Sequence, residues 1–506
     1  MNLEVQMRRL AFVILLVVSA RADEPFRVAV EVNTGRVIRV MRGGIGASFH
    51  AIERPMLPHR PDGSMVGGSA WGANAAPDDD RRWREVLAHA DWLGLNWCRV
   101  ELEQRMYEPR RREYDWDGAE MRILYRILDW AEKRGTDVFL QQMWGNVEWN
   151  AHPSMRGDHI GIATSGPHSM EDFAYSLGEL VQHLTQAKGY KCIKWVSINN
   201  EPGGGWGWWL GPDRKPLSIT PGLKAVRAEF DRRGLKTALS GPDWTDLPSL
   251  DPGRIDFDEY IGAYDLHSYN ANFDGSSGGY PLSVAEQRLR EWADWAHSRG
   301  KPFFLSELGT MAYGWRLRDA GPSTYEALIK DAALVVRGIR AGVDAFNRWS
   351  FINRGDLDGQ WQLIDTWDPD GNRLLDRAVP HRNSYAMFGL LSRYTGLASS
   401  VVETSLTGEL DPKGRQVAAA ALRSASGETT VMVVNESYRA ASAKVSISPV
   451  SKPLQRYQVT TADRDRDSLR LTATPRPAAF ADVLPPLSIT IYTTVDLPDT
   501  YSGIVR

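Results

Sequence analysis

An α/β fold, a (β/α)8 TIM barrel with an additional C-terminal antiparallel β-sandwich domain, is what this sequence predicts. Three observations point to it. A unit of helix, glycine and short apolar strand recurs over residues 43–395. Long polar loops follow the strands, whereas the links leading into them are short. Beyond residue 395 the composition changes to alternating segments separated by turn residues. The 506 residues exceed one small domain, and 42% hydrophobic with 24% charged residues suits a chain with a large buried core. A formal net charge of −3 gives no general attraction to nucleic acid or to an anionic membrane, so neither is expected as a partner.

Taken in order, the chain opens with Arg8 and Arg9, the apolar run Leu10 to Val18 and the small-x-small site Ala20-Arg21-Ala22. That layout predicts a signal peptide over 1–22 and a secreted or periplasmic protein, because the apolar run is too short to span a bilayer. Residues 26–40, FRVAVEVNTGRVIRV, read as a hairpin around Asn33-Thr34-Gly35. With residues 41–42 this segment is expected to join the sandwich formed by 397–497. The barrel, 43–395, starts with GGIGASFH. Seven junctions follow, at Gly94, Gly135, Gly189, Gly234, Gly262, Gly300 and Gly342, each read as a glycine past a helix end. They lead into WCRVEL, DVFLQQMW, CIKWVSIN, TALSG, YDLHSY, FFLSE and AFNRWSF, which makes eight strands. An open doubly wound sheet is the alternative, since counting strands does not prove closure. Cys98 and Cys192 belong to non-neighbouring strands and are expected to be buried free thiols.

In a barrel of this kind the loops after the strands form the active-site face. IKWVSINNEP puts Glu201 after strand four, and KPFFLSELGT puts Glu307 at the end of strand seven. Two carboxylates about 5–5.5 Å apart suit retaining glycoside hydrolysis, in which one protonates the leaving oxygen and the other attacks the anomeric carbon. The acid needs a raised pKa and the nucleophile a stabilised charge, so their neighbours should differ.

With these motifs the chain resembles clan A of the glycoside hydrolases, whose members carry Asn-Glu-Pro after strand four and a second glutamate after strand seven. The resemblance covers roughly residues 43–350 and is similar to families 30, 39 and 5. It implies Glu201 as general acid/base and Glu307 as nucleophile. It further implies Arg99 as the arginine that keeps the nucleophile ionised and Asn200 as the ligand of the sugar 2-hydroxyl. His267 and Tyr269 match the strand-six pair, with the tyrosine hydrogen-bonding the nucleophile. Trp349 matches the aromatic floor of the subsite holding the reacting sugar.

The loop GGGWGWWLGP, with Trp206, Trp208 and Trp209, follows Glu201, and Trp144 and Trp149 follow strand three. Ring faces of this kind stack on sugars, although long loops also need small cores of their own. The expected partner is therefore a β-linked oligo- or polysaccharide. His50, Arg316 and Arg354 lie near strand ends and are compatible with an acidic sugar. The chemistry needs no metal or organic cofactor. Asp78-Asp79-Asp80 directly precedes a helix, where acids favour the dipole, and is not read as a calcium site. Two alternatives stand beside the hydrolase: a transglycosylase using the same glutamates, and a carbohydrate-binding barrel without catalysis.

Overall fold

The computed structural model describes residues 24–51, 73–142, 147–203, 209–275, 278–311, 324–353, 361–368, 373–411, 414–463 and 473–497. The expected signal peptide, Trp144, Trp206, Trp208, Arg316 and Arg354 lie outside the described residues. The strands up to the end of the barrel are β1 (Phe26–Val40), β2 (Ile45–His50), β3 (Trp97–Leu102), β4 (Asp137–Gln142), β5 (Ile193–Ser197), β6 (Ala238–Trp244), β7 (Ala263–Ser268), the short pair β8 (Ala271–Asn272) and β9 (Tyr280–Pro281), β10 (Phe303–Leu308) and β11 (Ala345–Arg348). Eight of them close into a barrel in the order β10-β11-β2-β3-β4-β5-β6-β7, which excludes the open sheet. The helices are α1 (Asp80–Leu93), α2 (Ala119–Arg134), α3 (His159–Thr164), α4 (Met170–Gln182), α5 (Thr220–Arg233), α6 (Leu282–Ser298), α7 (Tyr325–Ala341) and α8 (Arg382–Ser392).

Side chains of a strand alternate between faces, so the inward set can be followed along each one. At the strand starts the inward residues Trp97, Phe139 and Phe304 are fully buried and pack with Ala263, Ala345 and the partly buried Trp195. Trp97 lies 4.6 Å from Phe304 and 5.0 Å from Trp195, ring centre to ring centre. This aromatic plug fills the base of the barrel, leaving the later inward positions to the polar side chains Arg99, Glu101, Gln141, Asp265 and His267. In β10 the pairing with β7 shifts register between Leu305 and Glu307, so that Glu307 stands opposite His267. Such a bulge re-aims a side chain, and here it turns the glutamate toward the barrel interior directly after the inward Ser306.

Most junction glycines cap helices as expected; Gly234 is left-handed, with φ 68°. Gly262 does not. The segment before it holds two short 3-10 turns, Pro252–Arg254 and Asp258–Tyr260, where a helix was expected. Pro248, Pro252 and Gly253 interrupt any helical run there. Glycine serves close packing at this site, since a Cβ on Gly262 would lie 2.8 Å from the Ala238 Cβ. The acidic run caps α1: the Asp79 side chain accepts from the Arg82 amide at 3.0 Å, and Asp78 pairs with Arg122 at 2.7 Å. Cys98 and Cys192 are buried free thiols on β3 and just before β5, with β4 between them.

After the barrel strands come β12 (Ile364–Asp368) and β13 (Arg373–Pro380), an antiparallel pair. The second domain is built from β14 (Ser400–Gly408), β15 (Val417–Arg423), β16 (Thr429–Asn435), β17 (Ala441–Ser448), β18 (Leu454–Val459), β19 (Thr474–Arg476), β20 (Ala479–Leu484) and β21 (Ser488–Thr493). Here the expectation of two separate layers is refined. All eight strands and β1 form one continuous sheet in the order β19-β18-β21-β16-β15-β14-β1-β17-β20. Residues from both ends of that order share one core, among them Val28, Val445 and Leu484 with Val431 and Tyr492.

Residues 26–40 are not a hairpin but a single strand, antiparallel to β14 along its length and parallel to β17 over its first half. The turn signal at Asn33-Thr34-Gly35 becomes a bulge, because two long partners outweigh one local turn. β16 and β21 are buried along their whole lengths, and β15 as far as Leu422, rather than alternating. Their second face packs against the barrel side, where α7 is buried nearly all round. Arg337 of α7 crosses this junction with Nε 2.8 Å from Glu436 and Nη1 2.7 Å from Glu286.

Candidate active site

The upper ends of the strands carry an almost unbroken set of buried polar groups. Arg99 is fully buried, and its Nη1 contacts both Glu101 and Glu307. Its Nη2 donates to the Asn200 Oδ1 at 2.6 Å. Glu307 takes a hydrogen bond on its other oxygen, from the Tyr269 hydroxyl at 2.5 Å. Glu201 lies beyond the end of β5 with a left-handed backbone, φ 46°, and only 6% exposure. The loop that presents it is anchored at Asn199, whose carbonyl accepts from Gln141 Nε2 at 2.5 Å and Ser197 Oγ at 3.0 Å.

His267 stands between the two glutamates. Its Nδ1 is 2.6 Å from a Glu201 oxygen and 3.4 Å from a Glu307 oxygen, while Nε2 is 2.7 Å from Asp243. One oxygen of each glutamate and a ring nitrogen of His267 all lie within 4.8 Å of one another. Trp349 donates its indole N–H to Glu101 at 3.1 Å and meets Trp361 edge to face at 5.0 Å. The nine residues expected at the site are thus placed as follows. Glu201, Glu307, Arg99, Asn200, His267, Tyr269 and Trp349 converge on one region; Trp144 and Trp206 lie outside the described residues.

Burial pushes the Glu307 carboxyl up to about 7; the Arg99 guanidinium and His267 pull it down, and Glu201 and Glu101 add to the rise. For His267 burial acts downward, but Glu307, Asp243 and Glu201 outweigh it and hold the imidazole well above its usual value. Burial and Glu307 raise the Tyr269 phenol, which stays a hydrogen-bond donor. Glu101 is held below the ordinary carboxylate value, against its burial, by His50 and Arg99. Glu201, His267 and Glu307 have metal-ligand spacing. An imidazolium at His267, however, offers a cation no lone pair.

Two expectations change. His50 is buried with Nδ1 2.5 Å from Glu101 and sits edge-on to Trp349, so it is committed inside the site and is not a free cation for an acidic sugar. Trp209 is fully buried, donates to the Ser218 carbonyl at 3.2 Å and packs on Phe173; it is the core of its own loop. Sequence reasoning also passed over Asp243, Asp265 and Gln141. The signal for the last two was a polar residue at an inward position of an otherwise apolar parallel strand, two residues before His267 in one case and two after the inward Phe139 in the other.

The cellulase model of glycosyl hydrolase family 5 matches residues 61–333. No curated protein matches the sequence. Among solved structures, a family 30 endoxylanase from Clostridium papyrosolvens C71 is 13% identical with a TM-score of 0.58, covering 92% of this chain and 99% of that one. A conserved exported protein from Bacteroides fragilis is 12% identical with a TM-score of 0.62, covering 92% and 100%. A glucosidase from Croceicoccus marinus is 13% identical with a TM-score of 0.58, covering 93% and 99%. These likenesses carry the fold over barrel and sheet domain together.

Proposed function

From the premise that this chain belongs to glycosyl hydrolase family 5, the cellulase family, and is therefore a glycosidase acting on carbohydrate, we propose that it cleaves β-glycosidic bonds with retention of anomeric configuration, using Glu201 as acid/base and Glu307 as nucleophile. The observation that carries the reading is the pair itself: two buried carboxylates with oxygens inside one sugar-sized gap and with unlike neighbours. Glu307 lies between the Arg99 guanidinium and the Tyr269 hydroxyl, groups that favour its charged, attacking form. Glu201 meets His267 instead, and donates its proton to the departing oxygen, then takes one from the water that frees the sugar.

Arg99 occupies the carboxamide oxygen of Asn200, which leaves the amide NH2 to bond the 2-hydroxyl of the reacting sugar. Trp349, fixed by Glu101 and backed by Trp361, supplies the ring face beneath that sugar. We further infer export, on the charged, apolar and small-residue order of residues 1–22. Among the described residues no helix is long and apolar enough to cross a membrane.

The deciding experiment follows product anomers by NMR during hydrolysis of β-linked gluco-, xylo- and manno-oligosaccharides. The β anomer is expected first; an initial α product contradicts the mechanism. A pH profile adds a second check. Because burial holds Glu307 protonated up to about 7, its attacking form is lost as the pH falls through that value. The acidic limb of kcat/KM is therefore expected near pH 7. Arg99→Met removes the cation that pulls Glu307 down and is expected to move the limb to higher pH. A wild-type profile level from about pH 5 to 8 contradicts this.

A further inference from the structure

Behind Glu201 a chain of buried acids runs into the barrel that the double displacement itself does not use. Asp243, at the end of β6, takes His267 Nε2 at 2.7 Å on one oxygen. On the other it accepts from Gln141 Nε2 at 2.8 Å and Ser197 Oγ at 3.3 Å. Asp265, on β7 two residues before His267, is fully buried and accepts from Ser306 Oγ at 3.1 Å. Burial and Asp243 hold Asp265 well above the carboxylate range, whereas His267 and Arg99 hold Asp243 below it against its own burial. Two donors on one oxygen and His267 against the other place the negative charge on Asp243.

We propose that Asp243 and Asp265 are positioning residues for the acid: through His267 they fix both ring nitrogens as N–H donors, so that the proton of Glu201 resides on the oxygen facing the substrate. This rests on Glu201 being the acid. An ionised Asp243 in contact with the ring favours the imidazole with a proton on each nitrogen. Nε2 pairs with Asp243 at 2.7 Å, and Nδ1–H donates to Glu201 Oε1, 2.6 Å away. With Glu201 as the acid, the oxygen that accepts this N–H is its carbonyl oxygen and its proton is on Oε2. Without the negative charge at Asp243, the imidazole becomes a neutral ring with a lone pair available at Nδ1. It then draws the Glu201 proton onto Oε1, away from the glycosidic oxygen. The other charged groups around His267 are Glu307 of β10, 3.4 Å from Nδ1, and Arg99 and Glu101 of β3. Among the described residues Asp243 is the charged group in contact with Nε2.

The test is Asp243→Asn in the full chain, read by leaving-group dependence. We expect kcat/KM to fall about 100-fold for sugar or alkyl leaving groups, which need the acid, and less than about 10-fold for dinitrophenyl glycosides, which do not, with KM little changed. A merely structural role lowers both substrates alike, and equal losses overturn the proposal. A second reading needs no variant: in ¹⁵N-histidine-labelled wild-type protein, with the signals assigned by their loss in His267→Gln, His267 is expected to show two ring N–H protons at neutral pH. A neutral ring with one N–H overturns the proposal. Glu201→Ala separates the two layers. If it shows no leaving-group dependence, the acid assignment has failed; if it does and Asp243→Asn does not, only the present inference has.

Discussion

Glu307→Gln is expected to lower kcat/KM for any β-glycoside substrate by roughly 10,000-fold or more, while leaving sugar affinity within a few-fold of the parent. The carboxamide keeps the size and planarity of the carboxylate, so the Tyr269 hydroxyl retains an acceptor, and Arg99 keeps its contact with Glu101. Only the charge that attacks the anomeric carbon is removed. Steady-state kinetics with titration calorimetry on the same oligosaccharide read the two effects separately. Unchanged hydrolysis would remove Glu307 as nucleophile, and a lost affinity equal to the lost rate would assign it to binding.

The second large effect concerns Glu201. Glu201→Ala is expected to lose about 100- to 10,000-fold on substrates with poor leaving groups and much less on activated aryl glycosides, since a good leaving group departs without a proton. With activated substrates the glycosyl-enzyme then accumulates, because no base deprotonates the water that should release it. Added azide needs no deprotonation and restores turnover, attacking from the face the leaving group vacated. The product is a β-glycosyl azide, identified by its anomeric coupling in NMR. An α-azide means that the roles of the two glutamates are exchanged.

The barrel was legible because its signals are local. A glycine past a helix and an apolar run after it occupy about ten residues, and the signal recurs. The two glutamates were legible for the same reason, each within a short peptide at a strand end. What sequence concealed depends on partners far away. The turn-like Asn33-Thr34-Gly35 is overridden by β14 and β17, some 370 to 415 residues along the chain. The alternation expected of β15 and β16 vanishes because the barrel covers their second face. The bulge in β10 that turns Glu307 inward leaves no mark on FFLSEL, which reads as a regular strand. Asp243 and Asp265 act through a histidine brought to them by closure of the barrel, and no spacing along the chain announces that meeting. Trp209 shows the converse error, an aromatic in a functional loop that serves the loop alone.

The long first strand has a consequence for assembly. Phe26–Val40 emerges before the whole barrel, yet its hydrogen-bonding neighbours, Ser400–Gly408 and Ala441–Ser448, are synthesised after it. While the barrel forms, this ribbon has both edges bare, and loop closure across most of the chain must precede its pairing. The small domain is in effect a clasp whose two halves are made before and after the barrel. It fastens only once the barrel strands have been synthesised, so the slow, long-range step of folding is the closing of the clasp around the catalytic drum.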